Sequence, residues 1–417
     1  MNERPNDGPL RVGYLSGPAD ADRMYEDLLA SRPAVYFGTN YMRQFLLLMQ
    51  DLGAISLVET WFGERRNWRQ LGPFAFSNVP EPRSAGAGYH VAQAIRQLGV
   101  LRRLIRLRPH VVVLTGKQGY WWLLSPLRLF GTKFIASFHC VLWPRFGQSK
   151  WHERLLLSLD RALVFRHLAA VVSTSRAITE QFTQVVGAQA EHIPLFEHLP
   201  SYEPSQFADI APPAVGRDTR FRILFMGRIE ANKGVYDVLE IARQLDRERP
   251  GEFEFDICGD GTELDNLRQQ VAGEHLDNVV HLHGYCAPDR LKAVISASHA
   301  VIVPTRSDFV AGFEMTCAEA ILSGRPLITS AVCPALDYLG PATIEVRPDA
   351  VEEYKQAITR LKDEPSLFEV KRDASRSLSA QFFDRASSWD AAMRRALAAA
   401  LAESVETPAP PPPVISR

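Results

Sequence analysis

Phe221-Arg-Ile-Leu-Phe-Met226, running into Gly227-Arg228-Ile229-Glu230-Ala231-Asn232-Lys233-Gly234, is the stretch on which the reading of this chain turns. Six mostly apolar residues, bounded by a glycine, read as a short buried strand. From Val235 the apolar spacing changes to that of an amphipathic helix reaching Leu245. A strand, a glycine loop and a helix open a βαβ unit, and the loop lies at the carboxyl end of the strand, where such units bind ligands. Glycine lets the backbone approach a ligand closely, and Arg228 and Lys233 add two cations, a combination suited to a diphosphate. A solvated turn with two surface cations would look the same locally, and only the segments around it tell the two apart.

Strand-like runs recur downstream at 253–258, 279–282, 300–303, 326–329 and 344–346, and upstream at 11–16, 54–58, 111–114, 134–138 and 170–173. A further run, Ala34-Val-Tyr-Phe-Gly38-Thr39, leads into a helical pattern over 40–52. Strands alternating with helices predict parallel sheets covered on both faces. Between 193 and 220 the periodicity fades and Pro194, Pro200, Pro204, Pro212 and Pro213 accumulate, as in a linker. The expected class is therefore α/β, with two doubly wound Rossmann-like domains facing a central cleft: 1–205, then a linker over 206–220, then 221–377. Residues 378–404 carry a helical pattern containing Phe382, Phe383, Trp389 and Met393, and the proline-rich 405–417 reads as a disordered tail.

With 417 residues, 46% of them hydrophobic, the chain can bury more than one core. Lys plus Arg number 47 against 48 for Asp plus Glu, so no global field exists to hold nucleic acid. Five scattered cysteines with no Cys-x-x-Cys argue against a disulfide framework or a structural zinc site. Without a signal pattern or a long apolar run, the expected location is cytoplasmic.

Two more segments carry chemistry. Ile257-Cys258-Gly259-Asp260-Gly261-Thr262-Glu263 is a tight strand-to-helix turn that lacks the third glycine of a dinucleotide loop. In Pro304-Thr-Arg-Ser-Asp308-Phe-Val-Ala311-Gly312-Phe313-Glu314-Met315-Thr316-Cys-Ala-Glu319-Ala320, a Gly312 turn opens a helix whose first amides suit phosphate oxygens, while Glu319 offers a carboxylate to hydroxyl groups. Asp20-Ala21-Asp22 matches an Asp-x-Asp metal signature formally, but two acids in an N-terminal loop are commonplace.

These elements in this order resemble the nucleotide-binding domain of retaining glycosyltransferases with the GT-B fold, family 4, over residues 221–361. The resemblance rests on Gly227-Arg228, Lys233-Gly234, Gly259-Asp260-Gly261-Thr262-Glu263, His283-Gly284-Tyr285, Gly312-Phe313, and Glu319-Ala320 followed by Ser323-Gly324-Arg325-Pro326-Leu327-Ile328. More loosely, Phe37-Gly38-Thr39, Phe138-His139 and Val172-Ser173-Thr174-Ser175 match the family's first domain. The resemblance implies a hexosyltransferase-type enzyme that moves a sugar from a nucleotide-diphosphate sugar to a glycan or lipid-linked acceptor, without metal or other cofactor, in surface or exopolysaccharide synthesis. Arg228, Lys233 and His139 would be its catalytic residues. Gly227, Glu263, Tyr285, Gly312, Phe313, Glu314, Met315, Thr316 and Glu319 would bind the donor, and Gly38 and Thr39 would face the acceptor. It also implies that the terminal helix crosses back onto the first domain.

The family's first motif glutamate falls on Ala311, so its contact with the donor sugar is lost or taken over by Glu314 or Asp308. That departure motivates one alternative, a non-catalytic partner that binds sugar nucleotides; an epimerase of the same fold, which needs its own acid and base groups at the sugar, is a third reading. Acceptor-dependent release of nucleoside diphosphate separates transfer from both. The stretches 102–108 and 150–167 mix cations with leucines, as a core-facing helix does or as a peripheral membrane contact of the first domain would.

Overall fold

The computed structural model describes residues 8–32, 40–115, 120–148, 150–211 and 220–402. The run Ala34 to Thr39, with the acceptor-side candidates Gly38 and Thr39, lies outside the described residues, as do most of the linker and the 405–417 tail.

Eight strands form the first sheet: β1 (Arg11–Leu15), β2 (Ile55–Thr60), β3 (Asn67–Leu71), β4 (Phe74–Asn78), β5 (Val111–Leu114), β6 (Lys133–Phe138), β7 (Leu168–Ser173) and β8 (Leu195–Glu197). Their order is β3-β4-β2-β1-β5-β6-β7-β8, parallel except for β3 against β4. The second sheet holds β9 (Phe221–Met226), β10 (Phe253–Cys258), β11 (Val280–Gly284), β12 (Ala300–Val303), β13 (Leu327–Ser330) and β14 (Thr343–Val346). It is wholly parallel, in the order β11-β10-β9-β12-β13-β14.

Period-two alternation feeds both faces of each sheet. Val12, Val111, Val113, Ile135 and Val172 enter one core, while Leu15, Val112, Leu114, Phe134 and Val171 enter the opposite one. In the second sheet Ile223, Phe225, Phe255 and Ile302 face one way, and Leu224, Met226, Val301 and Val303 the other. Continuous apolar strands follow from this double burial.

The polar β3 escapes a periodicity search because Asn67, Arg69 and Gln70 lie on an exposed edge strand. The short β8 sits inside the proline-rich stretch that reads as a linker, and beyond it Tyr202 and Phe207 are buried in the second unit. The chain returns between Phe382, buried in the second unit, and Trp389, buried against the first sheet. From there the helix Trp389–Leu401 buries Ala392, Met393, Ala396, Leu397 and Ala400 on the first unit.

Candidate active site

Strands β9 and β12 are neighbours from which the second sheet is wound in opposite directions, and the loops leaving their carboxyl ends converge. The amide of Arg306 donates to the carbonyl of Asn232 at 3.0 Å, joining the two loops. Arg306 also holds both oxygens of Asp237, at 2.8 and 2.9 Å, which anchors the second loop to the helix after the first. Lys233 lies in this junction with its Nζ 3.8 Å from the centre of the Phe309 ring, and the Arg228 guanidinium lies 5.9 Å from the same ring. Lys233 donates to both Glu314 oxygens, at 2.8 and 2.9 Å, whereas Arg228 reaches Glu230 at 2.6 Å and is more than half exposed.

The helix Met315–Leu322 starts at this point, fastened by the Thr316 hydroxyl donating to the Met226 carbonyl at 2.9 Å. Its first-turn amides, Met315 and Thr316, have no acceptor within the helix. Phe313 departs from the donor-side reading: its side chain turns into the core against Tyr338 and Phe382, leaving only backbone to face a ligand.

Glu319 is buried one and a half turns along the helix and accepts from the Tyr202 hydroxyl at 3.4 Å. Burial pushes its carboxyl up to about 7, against the opposing effect of the Tyr202 hydrogen bond. Glu263 accepts from Tyr236, and its amide binds the Ile229 carbonyl at 3.0 Å. Tyr285 follows β11, two strands or about 10 Å from β9, and is 58% exposed. The Gly259 turn serves close packing: a Cβ there would sit 1.7 Å from the Gly227 carbonyl, so glycine lets the two loops touch.

The first unit supplies the opposite wall. His139, at the end of β6, stacks on Tyr41 at 4.3 Å, and its Nε2 lies 3.4 Å from Ser137 Oγ, which accepts from the Trp389 indole at 2.9 Å. Desolvation lowers the His139 pKa to about 4, so the ring is neutral, and its Nδ1 is buried without a partner among the described residues. His198, 6.4 Å away, is lowered to about 3, mainly by burial and then by His139, and its Nε2 is likewise unpartnered among the described residues.

Beside these rings opens a cavity of about 1670 Å³. Tyr41, His139 and Cys140 line it, with Arg145, Lys150, Arg154 and Arg161 along the side and Asp308 and Val310 from the second unit. Cys140 is open to the cavity but ringed by protein; desolvation, reinforced by the Glu314 charge, lifts its thiol to about 11.

The two units meet at a short antiparallel bridge between Cys140 and Gly312, where the Val141 amide donates to the Ala311 carbonyl at 2.9 Å. A Cβ on Gly312 would fall 2.0 Å from the His139 carbonyl, so this contact demands glycine. Ala311 is 1% exposed within the seam, Glu314 is turned onto Lys233, and Asp308 borders the cavity. The structure thus gathers Gly227, Arg228, Lys233, Gly312, Glu314, Met315 and Thr316 at one junction, with His139 across the seam and Glu319 behind. Phe309, Tyr41, His198 and Tyr202 were missed, because distant segments make their partnerships.

Among the described residues no three His, Cys, Asp or Glu are grouped to hold a metal, and no helix is long and apolar enough to cross a membrane. Asp22 instead binds Asn67 at 2.9 Å and Arg69 at 3.2 Å, pinning β3.

Residues 209–377 match the family described as glycosyl transferases group 1, and residues 39–196 match the glycosyl transferase 4-like domain. Alpha-D-kanosaminyltransferase of Streptomyces kanamyceticus is 25% identical over 276 residues, covering 63% of this chain and 68% of that protein. The same organism's 2-deoxystreptamine glucosyltransferase is 25% identical over 300 residues, 67% and 76% of the two chains. Among solved structures, Anabaena HepE with UDP superposes with a TM-score of 0.61 at 15% identity, over 93% of this chain and 98% of that one. Sucrose-phosphate synthase of Thermosynechococcus elongatus gives 0.65 at 14% identity, over 93% and 98%. With both halves matched and the whole architecture shared, the chain belongs to the group 1 glycosyl transferases, enzymes of the GT-B fold that use nucleotide sugars.

Proposed function

We propose that the enzyme is a retaining, metal-independent hexosyltransferase that passes a sugar from a nucleoside-diphosphate sugar to a glycan or lipid-linked acceptor in surface or exopolysaccharide synthesis. The observation that carries this reading is the pairing of Lys233 and Arg228 over Phe309 at the β9–β12 junction, facing His139 across the seam. As the bond between the anomeric carbon and the diphosphate oxygen breaks, negative charge grows on the leaving group, and two fixed cations and the free amides of Met315 and Thr316 stabilise it. The acceptor hydroxyl attacks from the face that the diphosphate leaves and passes its proton to the departing oxygen. His139, held neutral by burial, borders the cavity without adding charge beside the sugar. Glu319, Glu263 and Tyr285 lie on the nucleoside side.

The acceptor reading is supported by the cavity, which pairs cations suited to a phosphate with leucines from the helix Trp151–Leu163. That helix exposes Trp151, at 77%, with Leu155 and Leu163 among Arg154 and Arg161, as a helix resting on an anionic membrane does.

A panel of sugar nucleotides screened for thermal stabilisation tests the donor, since a ligand at about 100 times its dissociation constant adds about 3 kcal/mol. The stabilising donor is then assayed with lipid-linked acceptors and, because one relative is named a 2-deoxystreptamine glucosyltransferase, with 2-deoxystreptamine. Transfer should persist in EDTA and give a product of unchanged anomeric configuration. Loss of activity in EDTA, or inversion, contradicts the proposal, and failure to sediment with anionic vesicles removes the membrane contact.

A further inference from the structure

Glu314 stands at the start of the helix Met315–Leu322, yet its side chain makes no capping bond. It turns instead to Lys233 and gives that ammonium both oxygens. The pair is well shielded, with side chains 11% and 16% exposed, and the Phe309 ring lies against the same ammonium. The cation best placed for a leaving diphosphate therefore already carries an anion that belongs to the chain. In so shielded a place a second anion cannot be added without cost: a carboxylate that stays repels the diphosphate, and one that leaves must be replaced on Lys233 by something of like charge.

We propose that Glu314 is an internal counter-anion of the donor site, seated on Lys233 in the empty enzyme and exchanged for the diphosphate when the donor binds. The inference rests on the assignment of Lys233 to the diphosphate. It makes Glu314 a residue that tunes donor affinity: it lowers the resting attraction for any nucleoside diphosphate and, by returning to Lys233 after transfer, speeds release of that product. This use of its carboxylate differs from replacing the glutamate absent at Ala311, because both of its oxygens are held on the phosphate cation and it is not among the residues that line the cavity.

The test is calorimetric titration of the full chain with the diphosphates of uridine, guanosine, adenosine and thymidine, the tightest being carried to Glu314→Gln, Glu314→Ala and Lys233→Ala. Both Glu314 variants should bind it more tightly, by about tenfold if the ion pair is worth one charged hydrogen bond, with correspondingly slower release in stopped flow. Circular dichroism verifies the fold of each variant, and two substitutions keep the test usable if one misfolds. Unchanged or weaker binding in the folded Glu314 variants overturns the proposal. Weaker binding of the intact sugar nucleotide alone would make Glu314 a reader of sugar hydroxyls and overturn it too. If Lys233→Ala binds as the wild type does, or if no diphosphate binds, the donor-phosphate assignment itself fails.

Discussion

A carboxyl held near pH 7 inside a folded protein has a measurable consequence. Glu319 is raised from its ordinary 4.5 to about 7, so the folded state favours its protonated form. The stability it contributes is fully present below about pH 4.5 and lost as pH rises through about 7. Relative to Glu319→Gln, which does not titrate, the wild type should lose on the order of 3 kcal/mol across that window in urea unfolding. A difference independent of pH would show that Glu319 is hydrated or paired. If ribose hydroxyls donate to Glu319, its ionised form is favoured in the complex, and donor binding near pH 7 should release protons, seen as binding heats that depend on the buffer. Residue chemistry of this kind is partly legible in sequence: Arg228, Lys233 and Glu319 stand at fixed distances from a strand end. The neutrality of His139 and His198 is not, because it follows from their being packed against Tyr41 and each other, with Trp389 on Tyr41.

The elements that position the site are tied together by the chain's return. Trp389 is fully buried, donates to Ser137 at 2.9 Å, and packs at 6.5 Å from Tyr14 and 6.2 Å from Tyr41, the residue that stacks on His139. Trp389→Ala should therefore cost about 3 to 5 kcal/mol in stability. It should also slow transfer by loosening Tyr41 and His139. A Trp389→Phe control, which keeps the aromatic packing but loses the indole donor, should recover much of the stability. A melting temperature unchanged in Trp389→Ala would show that the helix Trp389–Leu401 does not hold the first unit. Most strands were readable from apolar runs because both sheet faces are buried. The hairpin β3–β4 and the short β8 were not: β3 is polar, β4 is a five-residue run ending in Ser77 and Asn78, and β8 is only three residues long.

At the scale of the whole molecule, the polar contacts between the two doubly wound units include, among the described residues, the Cys140–Gly312 bridge, Arg145 to the Ala331 carbonyl at 3.2 Å, the Arg176 amide to the Tyr338 hydroxyl at 2.9 Å and that hydroxyl to Glu197 at 3.4 Å. A polar seam of this kind, with a large cavity beside it, suits units that part and rejoin as ligands pass. The alternation of strands and helices made this architecture legible. The seam was not, because it depends on Ala311 and Gly312 meeting His139–Val141 from the other half of the chain. Ala311 shows the difference: sequence presents it as a lost sugar-binding carboxylate, whereas its burial makes it part of the contact that closes the two units.

Stabilisation of the diphosphate leaving group by Lys233 is read from the steady-state turnover of Lys233→Ala with the donor identified by thermal stabilisation. In Lys233→Ala kcat should fall by about 100- to 1,000-fold while the melting temperature stays near that of the wild type. Wild-type turnover in a folded Lys233→Ala enzyme would contradict it.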